Sequence, residues 1–507
     1  MDQLDIARWQ FGITTVYHFI FVPITIGLSV LVAILETAYV RTGKEPYKRA
    51  TKFWGKLFLI NFALGVATGI VQEFQFGMAW SDYSRYVGDI FGAPLAIEGL
   101  LAFFLESTFL GLWIFGWDRL PKRVHAATIW VAAIGTVLSA YFILAANSWM
   151  QHPVGYQINE DTGRAELTNF PAVLTNSTTL GAFPHVVFAA FMTAAALMIG
   201  VCAWHLGRGR NQDVMRPSLK LAAWVMLVAA VGTVISGDIQ AKIMTEQQPM
   251  KMAAAEALYD TVAPASFSVF TIGSLDGKNE VFSIRVPRLL SYLATGSWDG
   301  EVEGINDVQR AEEARYGPGN YRPSVPVTYW SFRLMIGTGL AAAAVAAGLL
   351  FLIGRPGRWL IGTMRGARRG RSATGAAPIS PTAAGPAGSV GTGDGGWGSH
   401  VPRWLWRVAV WAIPLPILAN SFGWIFTEMG RQPWVVYGAL RTADGVSPSV
   451  SGATIVLSLA VFTLLYGALA VVEFGLMVKY AKAGPEAVPS GAEDETTADG
   501  RPLAFAY

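Results

Sequence analysis

An apolar stretch ends on a carboxylate in Gly423-Trp424-Ile425-Phe426-Thr427-Glu428-Met429-Gly430-Arg431-Gln432-Pro433-Trp434. An acid at such a boundary is expensive in lipid and marks a candidate functional site. Four more potential metal ligands, His18, Glu98, His185 and Met335, stand early in other apolar segments. Imidazole, thioether and carboxylate donors without thiolates suit haem iron. A His/Met pair makes a six-coordinate, low-spin, electron-transferring iron, and the methionine raises its potential. His185 and Met335 fit that pair. Cys202 is the only cysteine, which excludes an intrachain disulfide and any multi-cysteine zinc or iron–sulfur site.

The segments that must position these residues are membrane spans. The 507 residues are 52% hydrophobic and 14% charged, against about 25% charged in soluble domains. Mean hydropathy is +0.39. Apolar runs occur at 13–40, 54–78, 94–117, 124–147, 184–206, 219–239, 328–353, 403–427 and 453–478. Each approaches or exceeds the ~20 residues that cross a bilayer. The fold expected is therefore all-α and polytopic, with nine transmembrane helices. The acidic start Met-Asp-Gln-Leu-Asp is no signal-peptide n-region, so the first span is expected to be retained.

Basic residues alternate between loops. The first loop holds Arg41, Lys44, Lys48, Arg49, Lys52 and Lys56; the third Arg119, Lys122 and Arg123; the fifth Arg208, Arg210, Arg216 and Lys220. The seventh holds Arg355, Arg358, Arg365, Arg368, Arg369 and Arg371, and the short even-numbered loops are poor in Lys and Arg. The positive-inside bias places the N-terminus outside and the C-terminus in the cytoplasm. The chain divides into spans one to six (1–239), a long outer loop (240–326), span seven (327–355), a Gly/Ala/Ser/Pro-rich flexible linker (356–402), spans eight and nine (403–480) and a disordered tail (481–507).

This orientation puts all five candidate ligands within roughly 10 Å of the outer surface, counted from the ends of the apolar runs at 1.5 Å per residue. Unrelated polar residues would scatter in depth, so a shared level suggests one cofactor layer. Arg8, Arg333 and Arg431 lie near it, and arginine suits the carboxylates of a porphyrin; snorkelling is their bland explanation. Trp424, one turn before Glu428, fits either packing between cofactors or an interfacial belt.

Glu98 and Glu106 share the third span, ~12 Å apart along an α-helix and about 80° apart around it. Two acids in one span suggest a proton relay, with Ser107, Thr136 and Ser139 supplying hydroxyls; pairing with a buried base is the alternative. In the outer loop, Lys251 and Glu256 are a donor and an acceptor of the kind that oxidation of a hydroxyl substrate needs, although most loop residues of this type are merely solvated.

The Glu428-Met429-Gly430-Arg431-Gln432-Pro433-Trp434 run resembles the signature of subunit I of cytochrome bd-type quinol oxidases, over about residues 5–477. Phe183-Pro184-His185 and Trp330-Ser331-Phe332-Arg333-Leu334-Met335 resemble that family's low-spin haem b sites. Thr15-Val16-Tyr17-His18-Phe19 resembles the axial histidine of the oxygen-reducing haem pair, and Glu428 its carboxylate ligand. A five-coordinate iron with one strong protein ligand leaves a position for oxygen. The resemblance leaves open which of His18 and Glu428 serves haem d and which the high-spin haem b; Glu98 is a further candidate iron ligand. It supports catalytic proton roles for Glu98, Glu106 and Ser139. Gln247-Gln248-Pro249-Met250-Lys251-Met252-Ala253-Ala254-Ala255-Glu256 matches the quinol loop, in a short form.

The resemblance implies oxidation of ubiquinol or menaquinol at the outer face and reduction of dioxygen to water. Oxygen protons would come from the cytoplasm and quinol protons would leave outside, building a proton motive force without pumping. It also implies a subunit II partner, small single-helix accessory subunits and a place in the bacterial cytoplasmic membrane. A cytochrome b-type quinone reductase would need paired histidines, yet the other four, His125, His152, His205 and His400, fall at loops or span ends. A transporter with structural polar residues would carry no haem. The basic clusters follow topology and give no sign of nucleic-acid binding.

Overall fold

The computed structural model describes residues 2–274, 279–354 and 401–486. Most of the expected linker and tail lies outside the described residues. Among the described residues, nine helical spans are long and apolar enough to cross a membrane. They are α1 (Gln3–Thr42), α2 (Glu45–Met78), α3 (Ser81–Ile97) running through a π-helical turn (Glu98–Phe103) into α4 (Phe104–Phe115), α5 (Lys122–Gln151), α7 (Ser177–Leu206), α8 (Gln212–Gln247), α12 (Val325–Ile353), α13 (Arg403–Trp411) with α14 (Pro414–Gly430), and α15 (Gly452–Ala483).

Short elements close one end of the bundle. These are β1 (Tyr156–Ile158) with β2 (Ala165–Leu167), α6 (Phe170–Leu174), α9 (Pro249–Glu256), the hairpin β3 (Phe267–Gly273) and β4 (Glu280–Val286), α10 (Leu289–Thr295), α11 (Ile305–Tyr316), and β5 (Trp434–Val436) with β6 (Leu440–Arg441). Each strand pair is antiparallel.

Local chemistry sets the ends. Asp2 accepts from Gln3 N at 2.6 Å to start α1, and Gly43, in the left-handed region, stops it with its N–H on Tyr39 O. Asn176 and Ser451 cap α7 and α15 in the same side-chain manner. Helices α1 and α7 are the most enclosed spans and form the centre, while α15 is largely uncovered. Its exposed Leu464, Val471 and Phe474, like Trp224, Val228 and Val231 on α8, form faces suited to lipid or another apolar chain.

Three expectations change. The third helix starts at Ser81 rather than near 94, so Glu98 stands 17 residues inside it and not in its first turn. An apolar run marks hydrocarbon, whereas the helix continues into the polar layer. The π-turn also begins at Glu98, so the acids do not share an uninterrupted α-helix. The eighth span is two helices that meet near Pro414, whose ring removes an N–H from the ladder.

His125 is committed at the opposite end of the bundle. Its Nδ1 lies 2.5 Å from Glu36 Oε1 and its Nε2 2.8 Å from Trp113 O, while Trp113 Nε1 donates to Glu36 Oε2 at 2.6 Å. The trio ties α1, α4 and α5 together. His125→Ala leaves a buried acid without its partner, and such a loss costs about 3–5 kcal/mol. A lowered thermal midpoint in detergent is expected; an unchanged midpoint contradicts this account of the cluster.

Candidate active site

One half of the bundle gathers the candidate ligands, and helix α5 serves as a ruler for them. Asn147 Nδ2 donates to Glu428 Oε1 at 3.1 Å, Ser139 Oγ donates to Glu98 Oε1 at 2.7 Å, and Gly135 faces Glu106. Ser139 and Asn147 are eight residues apart, or about 12 Å. Glu98 therefore sits well below Glu428, and the ligands occupy a slab rather than one plane. Both Glu98 and Glu106 face α5, as expected of acids on one side of their span.

Both candidate histidines are held the same way. His18 Nδ1 lies 2.9 Å from Thr68 Oγ1. That hydroxyl already donates to the Leu64 and Gly65 carbonyls at 3.1 and 3.0 Å, so it accepts from the ring. His185 Nδ1 lies 3.1 Å from Thr233 O and 3.2 Å from Ser236 Oγ, and the serine donates to Gly232 O at 2.7 Å. A carbonyl only accepts, so Nδ1 carries the proton in each ring and Nε2 keeps its lone pair. This is the arrangement in which the second shell orients a metal-ligating imidazole.

Small residues face all three candidate ligands on His or Met. A Cβ added at Gly69 would come 3.2 Å from His18 Cε1, one at Gly237 3.4 Å from His185 Cε1, and one at Gly423 3.0 Å from Met335 Sδ. Trp424 follows Gly423, and its ring stacks on Phe19, the residue after His18, with centroids 5.2 Å apart. Trp424 therefore stands between the Met335 and His18 neighbourhoods.

The arginines are partly engaged. Arg431 Nη2 bonds Glu428 Oε2 at 2.5 Å, Arg333 Nη2 bonds Glu256 Oε2 at 2.6 Å, and Arg8 Nη2 bonds Gln432 Oε1 at 2.8 Å. Nε and Nη1 of both Arg333 and Arg431, and Nε1 of Trp424, are buried without a protein partner. Buried donors need acceptors, and porphyrin propionates would supply them. The donor set and the glycine-faced ligands fit haem.

Lys251 and Glu256 share α9 but point apart. Lys251 reaches α14, with Nζ 3.2 Å from Gln151 Oε1 and 3.3 Å from Thr427 O. Glu256 turns to Arg333, two residues from Met335, and accepts from Ser268 N at 3.1 Å. Burial pushes the Lys251 ammonium down to about 7; the nearby Arg431 guanidinium adds to the shift and Glu428 opposes it.

Among the described residues the remaining histidines are occupied. His125 is held as above, His205 Nε2 lies 2.8 Å from Ala481 O, and His152 Nδ1 lies 3.5 Å from Asn176 Oδ1. His400 lies outside the described residues. Thr68, Asn147, Gln151 and Ser236, the side chains that hold the candidates, were not singled out from sequence. A polar residue inside an apolar span is the signal that Thr68 and Asn147 carried.

The model of the family "Cytochrome bd terminal oxidase subunit I" matches residues 6–485. The cytochrome bd ubiquinol oxidase subunit 1 of Bacillus subtilis (strain 168) is 45% identical over 489 residues, 96% of this chain and 95% of that protein. The cytochrome bd-II ubiquinol oxidase subunit 1 of Escherichia coli (strain K12) is 39% identical over 546 residues, 96% of this chain and 98% of that one. The solved bd oxidase from Geobacillus thermodenitrificans superposes with a TM-score of 0.79 at 26% identity, covering 96% of this chain and 99% of its own. The chain belongs to the cytochrome bd terminal oxidase subunit I family.

Proposed function

We propose that this chain is the haem-carrying subunit of a respiratory quinol oxidase that takes electrons from ubiquinol or menaquinol and reduces dioxygen to water. The observation that carries the reading is the shared histidine arrangement: His18 and His185 each anchor Nδ1–H on a neighbouring helix and leave Nε2 free. His185 and Met335 would hold a low-spin haem b, and His18 and Glu428 a high-spin haem b and a haem d, with Glu98 as a further candidate. The free edges of Arg333 and Arg431, with Arg8 nearby, would bind propionates. When bound, such haems supply one-electron transfer and a site where oxygen is reduced.

The chain's own residues handle substrate and protons. Lys251, held close to neutrality by burial, can hydrogen-bond a quinol oxygen. Glu256, ion-paired to Arg333, ties the quinol helix to the Met335 helix. Ser139 donates to Glu98, orienting one of its oxygens. Glu106 is buried deeper along the same helix pair and would carry protons toward Glu98. With the N-terminus outside, those protons come from the cytoplasm and quinol protons leave on the opposite side, so charge separates without a pump. A subunit II would cover one exposed apolar face; small single-helix subunits could cover another. The bacterial cytoplasmic membrane is the setting proposed for this chemistry.

Replacing Lys251 by Met should lower turnover with quinol about 100-fold, the scale of a lost proton-handling group. Activity with an artificial electron donor should stay largely intact. Equal loss with both donors would move the defect to the haems and reject the quinol assignment.

A further inference from the structure

We infer that Glu312, on α11, is the proton acceptor through which quinol protons leave the membrane-side cavity; this rests on the quinol reading above. Glu312 is 6% exposed although it belongs to a short amphipathic helix of the outer loop. Its Oε1 accepts from the Tyr437 hydroxyl at 3.1 Å, and its Oε2 is buried with no protein partner. Glu312 lines one narrow cavity together with Lys251, Arg431, Gln248, Trp434 and Tyr437. A buried carboxylate oxygen without a donor is costly unless water or substrate reaches it. The cavity is where that donor comes from, and Lys251 opens on the same space.

The other side of α11 meets solvent. A wide polar depression there is lined by Asp260, Gln309, Arg310, Glu313 and Arg322. Gln309 joins the two sides. Its Nε2 donates to Glu313 Oε1 at 3.0 Å and to Gly319 O at 2.7 Å, and its Oε1 accepts from Tyr321 N, a residue of the inner cavity. One helix thus presents a buried acid to the cavity and an exposed acid to water, in adjacent positions.

The chemistry balances. A quinol loses two protons and two electrons in becoming a quinone, and the electrons pass to the oxidase's iron centres. The cavity, about 10 Å³, has room for a single water; as each quinol O–H bond breaks at its mouth, the proton passes through that water to Glu312 Oε2 and then to solvent outside α11. Groups facing Glu312 are Tyr437 and Tyr316, the Arg315 guanidinium, and Lys251 and Arg431 across the cavity. Burial raises Glu312 to about 7 against the lowering pull of Tyr437 and Arg315. The sign follows: a carboxylate with a raised pKa accepts protons above about pH 7 and is already protonated below it. Quinol turnover should therefore rise as pH increases through that value.

The test compares Glu312→Gln with wild type in the assembled oxidase. Glutamine keeps the Tyr437 hydrogen bond and the volume. We expect kcat with quinol to fall about 100-fold, KM to hold, artificial-donor activity to hold, and the rise with pH near 7 to vanish; Glu312→Asp should restore part of both. Unchanged kcat, a persistent rise with pH, or a change in KM or in artificial-donor activity instead would each overturn the assignment. Failure of the quinol reading itself is seen separately, as full quinol turnover in Lys251→Met.

Discussion

Met335→Leu is expected to abolish the low-spin haem signal while the protein still inserts and folds. Leucine keeps the volume, and such swaps cost under about 1.5 kcal/mol in a core. It has no sulfur, so the change separates ligation from packing. Met335 Sδ lies where a Cβ on Gly423 would come within 3.0 Å, and the next residue is the Trp424 that stacks on Phe19 beside His18. Losing the thioether would remove the Met335 half of the proposed His185/Met335 haem site, beside Trp424. Turnover should fall at least as far as the ~10–100-fold that loss of an outer-shell partner costs a metal site. A spectrum identical to wild type would return Met335 to core filling.

Glu106→Gln is expected to block oxygen reduction while sparing quinol binding. Glu106 is 7% exposed, enclosed between α4 and α5 against Gly135 and Thr136. Glutamine keeps its shape and hydrogen bonds but cannot release a proton. In the proposed orientation the candidate ligands lie toward the outside, protons for oxygen reduction would come from the cytoplasm, and Glu106 would be the acid between. A fall of about 100-fold in oxygen consumption is expected, with quinol KM unchanged. Normal spectra and full turnover between about pH 6 and 8 would make Glu106 a structural acid instead.

The candidate ligands could be picked out in the sequence because His, Met and Glu are scarce in apolar segments and each such residue asks for a reason. Nine spans were legible for the same physical cause, an apolar run of sufficient length. What holds the ligands was less so. Thr68, Asn147 and Ser236 are ordinary span residues until tertiary packing sets them beside His18, Glu428 and His185. The place of Glu98 within its helix was misjudged because hydropathy reports where lipid begins, not where the helix begins. The π-turn at Glu98 leaves no mark in the hydropathy pattern, since it is a change in hydrogen-bond register. Nothing in the sequence sets Glu312 apart from the other charges of the long loop; it is buried in the folded chain, where it meets Tyr437.

The central claim is that His18, His185, Met335 and Glu428 hold one low-spin and two oxygen-site haems. A reduced-minus-oxidised optical spectrum of the purified oxidase tests it most directly. The account predicts separate low-spin b, high-spin b and d features, with the low-spin b feature alone lost in Met335→Leu. A wild-type spectrum without haem, or with only bis-histidine b-type haem and no d feature, would contradict it.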